Sequence, residues 1–173
     1  MAATALSRPV PTNYWLRPDI SNKYTLDDKL LYIYLITNVH FQQHAIYMLP
    51  KNIMVAELGM EKERFDIAFD RLQNVFKVID YSDDTNEIVV LDYFDYGILK
   101  GGKPLKDCFS HLGKKIHNMK LLKALYDRSK GFIDDRDSFV EVMAMIRNFL
   151  GSINMLDEEE QNAYDACDYD RLT

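Results

Sequence analysis

"IYMLPKNIMVAELGMEKERF", residues 46–65, decides the fold. A short β-branched and aromatic run ends at Pro50. An apolar-periodic segment then runs to Gly59, and a second, charged periodic segment starts almost at once. Proline suits the first turn of a helix because the missing N–H has no partner there, and glycine supplies a left-handed exit. The spacing predicts a helix over about residues 50–57, with Ile53, Met54 and Leu58 facing inward. A second helix is expected over about residues 61–74, with Phe65, Ala68, Phe69 and Leu72 inward. Two helices joined by so tight a turn have the spacing of a DNA-reading helix-turn-helix.

The flanks extend the pattern. Upstream, Thr25 with Asp28 three residues later has the form of a capping box at the head of "LDDKLLYIYLITN", where Leu26, Leu30, Ile33, Tyr34 and Thr37 fall at helical spacing and are expected to face a core. "AIYML" (45–49) reads as a brief strand closed by Pro50. Downstream, "FKVIDY" and "EIVVLDYF" are β-rich runs joined by "SDDTN", the composition of a hairpin. Helix, strand, helix, turn, helix and hairpin in that order make the chain mainly α with a small β-hairpin: a winged helix-turn-helix followed by a helical C-terminal extension. The expected division is a flexible lead-in over 1–12, the winged helix over 13–97 and the extension over 98–173.

After the Gly-rich "YGILKGGKP", one helix is expected from Pro104 to about residue 127, with Leu105, Phe109, Leu112, Ile116 and Met119 on one apolar stripe. Another is expected over about residues 138–150, burying Phe139, Val142, Met143, Ile146 and Phe149. The last twenty residues are expected to form one short helix and then fray.

The 173 residues are 47% hydrophobic and carry a net charge of −6, but the charge is segregated. Residues 1–99 hold 9 Lys/Arg and 14 Asp/Glu, a net of −5; residues 100–130 hold 9 against 2, a net of +7; residues 131–173 hold 3 against 11, a net of −8. A basic block between two acidic ones either tracks phosphates or docks on the acidic end of its own chain. No apolar run is long enough for a bilayer, no secretory signal pattern opens the chain, and Cys108 and Cys167 read as free thiols, so a cytoplasmic protein away from the membrane is expected.

Catalytic patterns are weak. Gly97 to Pro104 follows a phosphate-binding loop up to its final position, where Pro104 replaces the magnesium-binding hydroxyl and removes a backbone donor. Cys108 and His111 share a helix face but His117 points elsewhere, and His40 with His44 lacks a carboxylate partner, so no metal site closes. No nucleophile elbow or paired-carboxylate arrangement stands out. The expectation is no enzyme, no cofactor and no metal.

The expected recognition helix carries Lys62, Arg64 and Arg71 against Glu61, Glu63, Asp66 and Asp70, and the wing tip carries two acids and no base. Its three cations are candidate DNA contacts, but the acids oppose a duplex unless they pair within the helix. The chief DNA contacts are therefore expected from Lys100, Lys103, Lys106, Lys114, Lys115 and Lys120. Tyr14 and Trp15, an aromatic pair in an otherwise polar arm, are expected to dock on the domain or on a second subunit.

"NYWLRPDISNKYTLDDKLLYIYLITNVH", "AIYMLPKNIMVAELGMEKERFDIAFDRLQ" and "VIDYSDDTNEIVVLDYF" resemble the N-terminal winged-helix domain of phage and prophage replication initiators, the replisome organisers, which look related to DnaD-type primosomal proteins. The resemblance spans about residues 13–97. Trp15 is the only tryptophan, so the aromatic helical motif of DnaD-type C-terminal domains is not found. The resemblance implies DNA binding at an origin, self-association, and helicase or helicase-loading partners. Two other readings stay open: a winged-helix oligomerisation or adaptor module that does not read DNA, and a transcriptional repressor.

Overall fold

A computed structural model describes residues 8–96, 103–131 and 137–172. Lys100 and the Gly97–Gly102 loop lie outside the described residues. The chain is mainly helical with a small three-stranded antiparallel sheet. A 3-10 turn, Thr12–Leu16, and a short helix α1, Pro18–Lys23, lead into α2, Leu26–Thr37. Strand β1, Ile46–Met48, comes next, then α3, Lys51–Leu58, and α4, Lys62–Asp70, which runs on as a π turn over Arg71–Val75. Strands β2, Ile79–Ser82, and β3, Glu87–Val90, form the wing. The sheet order is β1-β3-β2, so the brief strand pairs with the hairpin, Ile46 opposite Val89 and Met48 opposite Glu87. This is the winged-helix arrangement.

The turn between α3 and α4 is built as the Pro-to-Gly spacing requires. Gly59 sits at φ 60°, its N–H bonds Ala56 O at 3.3 Å, and Met60 N–H reaches back to Val55 O at 3.3 Å. That pair of bonds is a Schellman motif, which satisfies carbonyls the helix would leave open. Phe65, Ala68, Phe69 and Leu72 are buried as expected; Ile53 is not, and only Met54 of α3 is fully enclosed.

Helix α2 has the capping box: Thr25 Oγ1 accepts Asp28 N–H and Asp28 Oδ2 accepts Thr25 N–H at 2.7 Å. Its buried face differs from the expected one. Leu31, Tyr32, Leu35 and Ile36 face inward, whereas Leu26 is 82% exposed and Leu30 is half-exposed. The cause is Asp28. Periodicity puts a carboxylate outside, but here it is fully buried to meet Arg71, and the helix turns about its axis accordingly.

The expected single helix from Pro104 is three: α5, Lys103–Phe109, α6, Leu112–Lys115, and α7, Met119–Ser129. The second break has a clear cause. Glu87 of β3 accepts His117 N–H at 2.9 Å and Asn118 N–H at 2.7 Å, withdrawing both donors from a continuous helix. Asn118 then caps α7 by accepting Lys120 N–H at 3.0 Å. The apolar stripe survives the breaks, with Phe109, Leu112 and Ile116 all buried. Helix α8, Asp137–Ser152, follows the expected span, and α9, Glu158–Leu172, is longer than the short helix expected.

Helix α7 packs across β2 and β3. One sheet face carries Tyr81, whose ring meets Phe69 of α4 edge-on at 5.5 Å; the other carries Glu87, which holds the head of α7. Both faces being covered explains why all four β3 residues are buried. The buried side chains of winged helix and extension form one continuous cluster. No helix among the described residues is long and apolar enough to cross a membrane.

Candidate nucleic-acid interface

In a winged helix, the exposed face of α4 and the wing tip are the surfaces positioned to meet a duplex. Here the cations of α4 are spoken for. Arg71 turns inward: its Nε lies 3.0 Å from Oδ2 and 3.2 Å from Oδ1 of the fully buried Asp28. Its Nη2 donates to Lys23 O at 2.8 Å, and its guanidinium lies over the Phe76 ring at 5.0 Å. Arg64 leans back across α2 and grips the Asp27 carboxylate with both arms of its fork, Nε at 3.0 Å from Oδ2. Lys62 pairs with Asp66 one turn on along the same helix.

With those cations paired, the outward face of α4 presents Ile67, the exposed Lys62–Asp66 pair and the acids Glu63 and Asp70, with Asn74 donating to Asp70 at 2.6 Å. The wing continues the acidic surface. Lys51 is drawn over the Tyr81 ring, 4.5 Å from its centroid, and pairs with Asp83 at 2.9 Å, while Asp84 stays exposed. Repulsion of phosphate by this face follows from Coulomb's law at the high dielectric of a surface.

The basic block divides into spent and open cations. Lys106 pairs with Glu141 of α8 at 2.7 Å. Lys115 donates to Asp107 O and Cys108 O at 3.0 and 2.9 Å, capping the end of α5 while keeping its charge at the surface. Lys123 and Lys130 are gripped by Asp157 at 2.8 Å each, and Lys130 also by Glu160 at 3.1 Å. These lysines hold the Asp157 carboxyl down to about 2. Part of the basic block therefore does dock on the acidic end of its own chain. Lys103, Lys114 and Lys120 are exposed and have no ion pair among the described residues.

The richest open patch is the α6–α7 junction, where His111, Lys114, Lys115 and Lys120 lie exposed and the chain has no carboxylate between Asp107 and Asp127. Glu87 beneath it is buried. Burial pushes its carboxyl up, but the His117 and Asn118 N–H groups, the Thr85 hydroxyl and His117 outweigh that and leave it below the usual carboxylate range.

Tyr14 is used inside the chain. It is buried and stacks on Tyr32 at 5.4 Å, with Trp15 edge-on to it at 5.0 Å. Trp15 is 55% exposed and Leu16 lies beside it on the surface. Arg17 ties the arm to the body by donating to the buried Asp92 at 3.4 Å. Asp92 also accepts the Tyr32 hydroxyl at 2.7 Å, yet burial still raises its carboxyl to about 6. His44 is the opposite case: burial, with Lys115 nearby, lowers its imidazole to about 4.

Sequence reasoning missed the buried acids Asp28, Glu87 and Asp92. A trace of each is present: a doubled aspartate at a helix start, and acids at both ends of an otherwise apolar strand run. Acids near element ends are ordinary surface features, so that trace alone does not separate them from solvated ones.

Among the described residues, Asp127, Asp157 and Glu160 form the only carboxylate group close enough to hold a metal. Their oxygens already face Lys123 and Lys130, so they serve ion pairing. Compared with protein-family models, curated proteins and solved structures, the chain matches none.

Proposed function

We propose that this protein binds DNA through the lysine surface of its extension, and not through base reading by α4, in the manner of a phage-type replication initiator. The observation that carries the reading is the contrast between two surfaces of one molecule. Helix α4 has its cations consumed by Asp27, Asp28 and Asp66. Lys103, Lys114 and Lys120 stand open, with Lys115 adding charge beside them. Contacts of that kind hold phosphates and position a protein without selecting sequence. The role in replication initiation rests on the resemblance of residues 13–97.

Each neutralised phosphate releases counterions, so with about four lysines engaged, log K should fall with log salt at a slope of about −3 to −4 on duplex DNA. The test is fluorescence anisotropy with labelled duplex and single strand over a salt series, on the full chain and on Lys114→Glu/Lys120→Glu. The variant should lose affinity uniformly across sequences and flatten the slope by about 2. Unchanged binding by the variant refutes the assignment. A strong preference for one duplex sequence would point to a transcriptional repressor instead.

A further inference from the structure

The outward face of α4 has the anatomy of a docking surface. Ile67, 64% exposed, lies one helical turn from Glu63 and Asp70 on the same face; the Lys62–Asp66 and Arg64–Asp27 pairs border it, so Glu63 and Asp70 leave the rim acidic. An exposed apolar centre within a charged rim is how protein interfaces are organised, and the charge of this rim selects a basic partner. The same chain carries the complement in the open lysines of the α6–α7 junction. The two surfaces cannot meet within one copy. Helix α4 packs on the sheet face that carries Tyr81, and the junction packs on the opposite face, held by Glu87.

We propose that the α4 face of one copy binds the α6–α7 lysine surface of a second copy, so that copies join head to tail. Such a contact is heterologous: each copy offers one acidic and one basic surface, and the chain grows until it closes or meets a capped end. The acidic face of α4 then takes the place of phosphates against its neighbour's lysines. DNA and a second copy compete for those lysines, a consequence that rests on the DNA-binding reading above; the self-association itself does not.

The test is sedimentation velocity on the full chain at low and high salt, with two variants. Asp66→Lys/Asp70→Lys spoils the acidic surface and keeps the basic one, and Lys114→Glu/Lys120→Glu does the reverse. The wild-type chain should form concentration-dependent species larger than a dimer at low salt and dissociate at high salt, as screening shortens the reach of surface charge. Each variant alone should associate at least about tenfold more weakly, because like charges now face each other. Mixed in equal amounts they should co-assemble, because the lysines kept by one variant meet the intact acidic face of the other and the two reversed surfaces also carry opposite charge. Ile67→Ser, which leaves every charge in place, should also weaken association while the circular dichroism stays that of wild type.

A wild-type chain that stays monomeric at low salt overturns the proposal. So does a variant that self-associates as wild type does, or a mixture that stays monomeric. The two readings separate cleanly on adding duplex. If Asp66→Lys/Asp70→Lys pairs with its complement but no form binds DNA, the DNA reading falls and the head-to-tail contact stands.

Discussion

Arg71 decides between two uses of α4, because a base on a recognition helix is normally counted as a DNA contact. In this structure it holds a buried carboxylate. Asp28 is 0% exposed, and besides Arg71 its carboxylate accepts the Thr25 N–H. Arg71→Met keeps the stem that packs by Phe76 and removes the charge, leaving the Asp28 carboxyl group buried with one hydrogen bond. Breaking a buried pair from one side costs about 3–5 kcal/mol, and the lower end applies here because the Arg71 side chain is 31% exposed and water can reach the gap. At about 2–4 °C per kcal/mol for a chain of this size, the melting temperature should fall by about 6–12 °C. Asp28→Asn should cost less, about 1–2 kcal/mol, because the cation left behind is already partly solvated. Thermal and urea melts measure both, and anisotropy measured well below the melting point reads DNA affinity. The expected result for Arg71→Met is a large loss of stability with duplex affinity within about twofold of wild type. A variant with wild-type stability and lost DNA binding would refute the inward placement of Arg71 and restore α4 as a DNA-contacting helix.

Glu87→Ala should cost about 3 kcal/mol, since it leaves the His117 and Asn118 N–H groups without their acceptor; amide exchange should speed up first at the head of α7, and uniform exchange across the chain would count against the strand-to-helix clamp. Two buried groups drive opposite pH responses. His44, lowered to about 4 from 6.5, makes the unfolded chain bind the proton first, so its contribution falls as pH drops from 6.5 to 4. Asp92, raised to about 6 from 3.8, makes the folded chain bind first, so its contribution rises as pH drops from 6 to 4. Each is worth at most about 3 kcal/mol, so urea melts should show His44→Asn gaining stability on acidification relative to wild type and Asp92→Asn losing it; parallel profiles would contradict both placements. Gly151→Ala puts a Cβ 2.6 Å from the Tyr164 ring and should displace α9 from α8, read as faster proteolysis after residue 157 with the melting of the winged helix little changed.

Local chemistry sufficed for much of this fold. Pro50 and Gly59 bound α3, Thr25 and Asp28 cap α2, and the run Phe65, Ala68, Phe69, Leu72 marks the inner face of α4, because caps, turns and apolar stripes act within a few residues. The wing was legible for the same reason, from two β-rich runs and a turn whose Asn86 takes a φ of 53°. What the sequence could not decide was where each charge ends up. Arg64 and Asp27 are 37 residues apart, Arg71 and Asp28 are 43 apart, and Glu87 meets His117 across 30. A lysine or arginine looks the same in a sequence whether it faces water or a distant carboxylate, since an ion pair depends on approach in space and not on neighbours in the chain. Those distant pairings rotated α2, made the second of the two breaks in the expected helix and paired both arginines of α4 and its π turn. The sequence by itself determined a winged helix followed by a helical extension with a basic block and an acidic end; only the tertiary structure decided which of its surfaces is left basic and which is left acidic.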